Sequence, residues 1–159
     1  MIIEIENFFT KKRCNKLIML NKKNKLKLEK HKSEFLKKNS NTINLLKGIN
    51  WVLEEVNLLE KQVNKLIKNC KCESIEIAEW PPNTHQPFHQ DIARKKTVFS
   101  SIVYLNEDYE GGATIFENGQ TIKPKTGKVV FFNGVKYFHA VERVKKNFRY
   151  TLAAWYKNA

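Results

Sequence analysis

VFSSIVYLNEDYEGGATIFENGQTIKPKTGKVVFFNGVKYFHAVERVKKNFRYTLAAW, residues 98–155, decides the fold. It is a series of short segments rich in Val, Ile, Phe, Tyr and Trp (98–105, 113–116, 128–132, 137–144 and 148–155). Turn residues cut it at Gly111-Gly112, Asn118-Gly119, Thr126-Gly127, Asn133-Gly134 and Lys145-Lys146. Many short strands with turns every ~8–12 residues predict a sandwich or a barrel. Just upstream, Ile75 and Ile77 alternate with Glu76 and Ala78 until Pro81-Pro82 breaks the run.

The N-terminal part has another texture. Ile2 to Phe9 alternates apolar with polar residues, the period of a strand. Thr10 can cap a helix whose Cys14, Leu17 and Ile18 share a face, and the polar run from Asn21 to Asn24 loosens its end. Asn39 to Thr42 reads as a loop. Ile49, Val52, Leu53, Val56, Leu59, Val63, Leu66 and Ile67 then repeat at three and four residues, a helix with an apolar packing stripe. The class is α+β, with helices first and an antiparallel β unit for them to cover. At 159 residues the chain reads as one domain, 1–159, with a strand and supporting helices over 1–70 and the β core over 71–159.

Composition narrows the class. With 42% hydrophobic residues, disorder throughout is excluded. No apolar run approaches the roughly 18–20 residues of a membrane span. The start, MIIEIENFFTKKR, has its acids and bases in the wrong order for a secretory signal, and the three cysteines are an odd count. Free thiols and a cytoplasmic location are the expectation. Of the net charge of +13, +10 lies from Lys11 to Lys38, where twelve bases face only Glu29 and Glu34. Such a stretch suits a nucleic-acid partner. It is also a lysine-rich solvated surface with one arginine (Arg13) and one aromatic (Phe35), a poor kit for phosphate and base recognition.

His89, Asp91 and His139 carry the chemistry. On a strand, residues two apart share a side, so His89 and Asp91 converge while Gln90 points away. A third ligand from another strand, His139, completes two imidazoles and one carboxylate on one face of an octahedron. That is the facial triad of non-heme Fe(II) sites, with three positions left open. Ten residues on, Arg149 offers a fork of donors that matches a carboxylate. If the two lie on a simple hairpin, a three-residue connection, Val144-Lys145-Lys146, turns His139 and Arg149 to the same face and sets His139 opposite Thr151.

The motifs resemble a family, over residues 75–156. HQDIARK (89–95), YLN (104–106), EGGATIF (110–116), KPKTGKVVFF (123–132), HAV (139–141) and RYTLAAW (149–155) are similar, in order and spacing, to the Fe(II)- and 2-oxoglutarate-dependent dioxygenases of the prolyl 4-hydroxylase-like branch. The resemblance implies a double-stranded β-helix, a jelly roll with N-terminal helices packed on one sheet. It implies Fe(II) on His89, Asp91 and His139, and 2-oxoglutarate held by Arg149 with Tyr104, beside Thr114 and an apolar wall at Ile102. It further implies hydroxylation of a C–H bond, with release of succinate and CO2, on a prolyl residue of a peptide or protein, with ascorbate in support. Trp80 stands where the branch often carries a cosubstrate-binding tyrosine, and Thr97 where peptide-hydroxylating members often carry a substrate-contacting arginine, for which Arg94, Lys95 or Lys96 are the candidate substitutes. Trp80, Arg94 and Trp155 are therefore the substrate-side candidates. The alternatives are a nucleic-acid oxidative demethylase on the same scaffold, a hydroxylase of a small molecule such as a free amino acid, and a binding module that has kept the jelly roll.

Overall fold

A computed structural model describes residues 1–31, 41–93 and 95–159. Arg94, and the part of the basic stretch that runs over 32–40, lie outside the described residues. Among the described residues thirteen strands and two α-helices follow one another. β1 is Ile2–Ile5, α1 Lys11–Lys23, β2 Glu29–Lys30, β3 Asn44–Lys47, α2 Leu53–Leu66, β4 Cys70–Trp80, β5 Gln86–His89 and β6 Thr97–Tyr104. The remainder are β7 Glu110–Gly111, β8 Thr114–Phe116, β9 Thr121–Ile122, β10 Val129–Phe132, β11 His139–Val141, β12 Val144–Lys146 and β13 Arg149–Asn158.

They form a major sheet, β1-β10-β6-β13-β4-β3-β2, a minor sheet, β5-β11-β8-β9, and the small pair β12-β7. Every pairing is antiparallel. This is the α+β jelly roll that the motifs imply.

The period of two on β13 divides the molecule. Tyr150, Leu152, Ala154 and Tyr156 join the core that α1 and α2 cover with Leu17, Val56, Leu59 and Val63. Arg149, Thr151, Ala153 and Trp155 face the other way, into the space between the sheets. Each fully buried Leu, Val or Phe in that core contributes about 1.5–3 kcal/mol relative to exposure. Thr10 caps α1 by accepting a hydrogen bond from the Arg13 N–H at 3.1 Å, as its position before the basic run predicts. Asn21 does not loosen the helix. It is buried and donates to the Ile77 carbonyl at 3.4 Å, tying α1 to the sheet.

Two elements differ from the sequence reading. The helical stripe starts late: Asn44–Lys47 is a strand, a 3-10 turn covers Ile49–Trp51, and α2 begins at Leu53. Leu45 and Leu46 are buried on opposite faces of β3, one towards each core, so the strand has no alternation to betray it. The expected hairpin from His139 to Arg149 is also absent. Residues 144–146 are a strand paired with β7, and the turn comes at Asn147, in the left-handed region at φ 59°. β11 pairs with β5 and β8, whereas β13 pairs with β4 and β6. His139 and Arg149 therefore belong to opposite sheets and meet across the sandwich. Alternation shows which residues share a face but not which strand is the neighbour.

Among the described residues no helix is long and apolar enough to cross a membrane. The three cysteines are free thiols, all buried. Burial pushes the Cys14 thiol up to about 11 and the Cys72 thiol up to about 12. The thiolate is the reactive form, so both are almost wholly protonated at pH 8. Iodoacetamide at pH 8 is expected to label Cys14 and Cys72 far more slowly in the native protein than in denaturant. Equal rates in the two states contradict this packing.

Candidate metal centre and its buried cation

The centre is built by the minor sheet. β11 lies between β5 and β8, and His139 sits directly opposite His89 in the ladder, with ring centroids 4.3 Å apart. Asp91 is not on the strand: β5 ends at His89 and the chain bends. The convergence expected from strand alternation is reached through loop contacts instead. The Asp91 N–H donates to the Gly134 carbonyl at 2.8 Å, and Gln90 turns away to donate to the Val135 carbonyl at 2.7 Å. Asp91 Oδ1 lies 3.9 Å from His89 Nε2 and 3.6 Å from His139 Nε2. One ligand atom from each residue falls within 4.8 Å of the others, so the three can hold one metal ion.

The surroundings prepare each ligand. His89 Nδ1 lies 2.9 Å from the Pro87 carbonyl and His139 Nδ1 lies 3.0 Å from the Tyr137 carbonyl. A carbonyl only accepts, so each Nδ1 carries a proton, and Nε2 is the ring atom of each histidine turned to the centre. Burial, then the neighbouring His139, lowers the His89 pKa below its ordinary 6.5. Its Nε2 is thus unprotonated at neutral pH, and protons compete for it only in more acidic solution. Burial alone would raise Asp91. The hydrogen bonds and charge of His139 and the Ser100 hydroxyl, which donates to Oδ2 at 2.6 Å, outweigh it and hold the carboxylate below its usual range. Phe132 stands edge-on to the His139 ring at 4.8 Å and Phe116 lies at 6.1 Å, an apolar wall on that side.

The major sheet supplies a cation. Arg149 is 1% exposed, and no carboxylate pairs with it among the described residues. Its Nε donates to the Gly112 carbonyl at 2.9 Å. Its guanidinium carbon lies over Trp80 at 4.8 Å and over Tyr104 at 5.6 Å from the ring centroids. Nη2 is buried with no hydrogen-bond partner among the described residues. A buried charge is costly unless it is paired, so this arrangement suits an anionic ligand. The Tyr104 hydroxyl shares a hydrogen bond with Thr114 Oγ1 beside it. Ile102 lies on the same strand and face as Tyr104 and packs with Val130 and Phe132.

The profile of the 2OG-Fe(II) oxygenase superfamily matches residues 75–157. The chain belongs to that superfamily. This oxygenase domain is 35% identical over 65 residues to human prolyl 3-hydroxylase 2, a match covering 36% of the chain. The chain spans only 9% of the length of the curated relatives it matches. Its fold superposes on a Pseudomonas putida prolyl-4-hydroxylase with a TM-score of 0.81, at 17% identity over 99% of this chain and 92% of that one. It also superposes on a Trichoplax adhaerens prolyl hydroxylase, solved in complex with a hypoxia inducible factor peptide fragment, with a TM-score of 0.79 at 16% identity over 99% and 83%. The family implies Fe(II) and 2-oxoglutarate, and a His-Asp-His cluster facing an unpaired buried guanidinium suits a metal and a diacid.

Seven of the sequence candidates come together here: His89, Asp91, His139, Arg149, Tyr104, Thr114 and Trp80. Trp80 is opposite Arg149 in the β4–β13 ladder, deep against the guanidinium rather than at an outer rim. Trp155 lies on the site face of β13 opposite Ser100, half-buried. Three residues packed around the candidate site were not singled out from the sequence. Ser100 reads only as part of a strand, Gly134 only as a turn residue, and Tyr109 carries no signal. Gly134 is required by space: a Cβ there would overlap Asp91 Oδ2 and Ser100 Oγ.

Partners that orient a metal ligand typically matter 10- to 100-fold in affinity. Ser100→Ala is expected to weaken Mn(II) binding by roughly tenfold or more, and Gly134→Ala by at least as much. Titration of Mn(II) followed by electron paramagnetic resonance checks both, and unchanged affinity in both variants contradicts the described support of Asp91.

Proposed function

We propose that the chain is an Fe(II)- and 2-oxoglutarate-dependent dioxygenase that hydroxylates a prolyl residue of a peptide or protein. One observation carries the reading: ligand atoms of His89, Asp91 and His139 converge on one point, opposite a buried Arg149 that has no carboxylate partner among the described residues. Bound together, Fe(II) and 2-oxoglutarate supply the oxidative chemistry, which yields succinate, CO2 and a hydroxylated C–H position. The chain does the holding. His89, Asp91 and His139 would hold the metal as three protein ligands, a set that leaves room for a cosubstrate and oxygen. Arg149 binds the distal carboxylate through charge-assisted hydrogen bonds, with Tyr104 and Thr114 beside it and Ile102 as an apolar wall. Phe116 and Phe132 exclude water from the His139 side, which strengthens the electrostatics inside. Trp155 and Arg94 are the residues we assign to the substrate side, Trp80 to the anchored end of the cosubstrate, and ascorbate to keeping the iron reduced.

The peptide assignment is supported by the prolyl hydroxylases among the similar proteins. Nucleic acid is the weaker reading. The described part of the basic stretch is largely α1, which packs through Cys14 and Leu17 on the far side of the major sheet from His89, Asp91 and His139. A polyanion held there does not reach the metal ligands.

The test incubates the chain with Fe(II), ascorbate, 2-oxoglutarate and proline-containing peptides. A peptide heavier by one oxygen, formed with succinate, is expected, and His139→Ala abolishes it. Arg149→Ala is expected to raise the KM for 2-oxoglutarate roughly ten- to hundredfold, the equivalent of about 1.5–3 kcal/mol for hydrogen bonds to a charged group. Turnover of 2-oxoglutarate with no peptide product removes the prolyl assignment and leaves the dioxygenase.

A further inference from the structure

Beside Arg149 a second donor is unspent. Among the described residues the Tyr109 hydroxyl, like Arg149 Nη2, is buried with no acceptor to donate to. Tyr109 stands just before β7, and its ring packs with Trp80, Val141 and Val144. A Cβ on Gly112, whose φ of +67° already favours glycine, would lie 2.9 Å from both Arg149 Cδ and Tyr109 Cε2. The guanidinium stem and the phenol ring therefore close over the same glycine. Burial raises the Tyr109 pKa above its ordinary 10 despite the nearby guanidinium charge, so the hydroxyl keeps its proton. The Tyr104 hydroxyl differs, because Thr114 already engages it.

A phenol oxygen next to a guanidinium can accept one of its protons, and even then the phenol O–H stays free to donate. A buried polar group left unmatched costs about 1–3 kcal/mol, and two such donors in one place suit a ligand with acceptors for both. A carboxylate has two oxygens and about four acceptor sites.

We infer that Tyr109 is a cosubstrate-binding residue that donates its hydroxyl proton to the distal carboxylate held by Arg149, and so selects for a 2-oxo acid that ends in a carboxylate. The inference rests on the oxygenase reading above. A 2-oxo acid of the same length that ends in a methyl group leaves both donors unpaired, and sites built to hydrogen-bond reject such analogues strongly.

The test measures, by calorimetry on the Mn(II)-loaded chain, the affinities of 2-oxoglutarate and of 2-oxopentanoate, which lacks the distal carboxylate. Tyr109→Phe keeps the ring and removes only the hydroxyl. It is expected to weaken 2-oxoglutarate about tenfold or more, with the Mn(II) affinity and Tm retained and with no matching loss for 2-oxopentanoate. In turnover the change falls on the KM for 2-oxoglutarate more than on kcat. An unchanged affinity for 2-oxoglutarate, or an equal loss for both acids, overturns the role of Tyr109. Arg149→Ala separates the two readings: if it weakens 2-oxoglutarate while Tyr109→Phe does not, only Tyr109 is misassigned. If neither variant weakens it, the anchor itself is wrong.

Discussion

A guanidinium buried between two sheets with no counter-charge among the described residues is the constraint on which the site depends. Arg149 is 1% exposed, and its neighbours are two aromatic faces, a glycine carbonyl and the pair of Tyr104 and Thr114. Cation–π contacts of this kind are worth roughly 0.5–2 kcal/mol each, well short of the several kcal/mol that desolvating a charge costs. An anion in the same cavity closes that gap. The cation is therefore stored binding energy, and it lies across the sandwich from the three groups that can hold a metal.

The fold makes this storage possible by separating two tasks. The helices and the outward residues of β13, β6 and β10 form the apolar core that stabilises the major sheet. That frees the inward residues of the same strands, Arg149, Tyr104 and Ser100 among them, to be polar. The minor sheet is shorter and makes its contribution through one ladder position, His89 opposite His139. Glycines set the clearances. Gly134 lets the loop lie against Asp91 and Ser100, and Gly112 lets Tyr109 close on Arg149.

Much of this was legible in the sequence because strand alternation and motif order are local. His89, Asp91, His139 and Arg149 are identifiable from residue type and spacing, and the β texture from Cys70 onward gives the class. Thr10 announces α1 by its chemistry. What was not legible is non-local. Asn44–Lys47 shows no strand alternation because Leu45 and Leu46 are adjacent, and both are buried only because β3 has a core on each face. Val144–Lys146 looks like a turn because two lysines point to solvent, yet it pairs with β7. Ser100, Tyr109 and Gly134 carry no motif signal. Their importance lies in what they touch, and a contact between Ser100 and Asp91 is set by where the loop after β5 lands.

The most direct measurement is a crystal structure of the chain with Mn(II) and 2-oxoglutarate, without oxygen. The expected result is one ion on His89 Nε2, His139 Nε2 and an Asp91 carboxylate oxygen, chelated by the 2-oxo acid, whose far carboxylate rests on Arg149. An ion bound elsewhere, or a cosubstrate whose far end leaves Arg149 unpaired, would overturn the assignment.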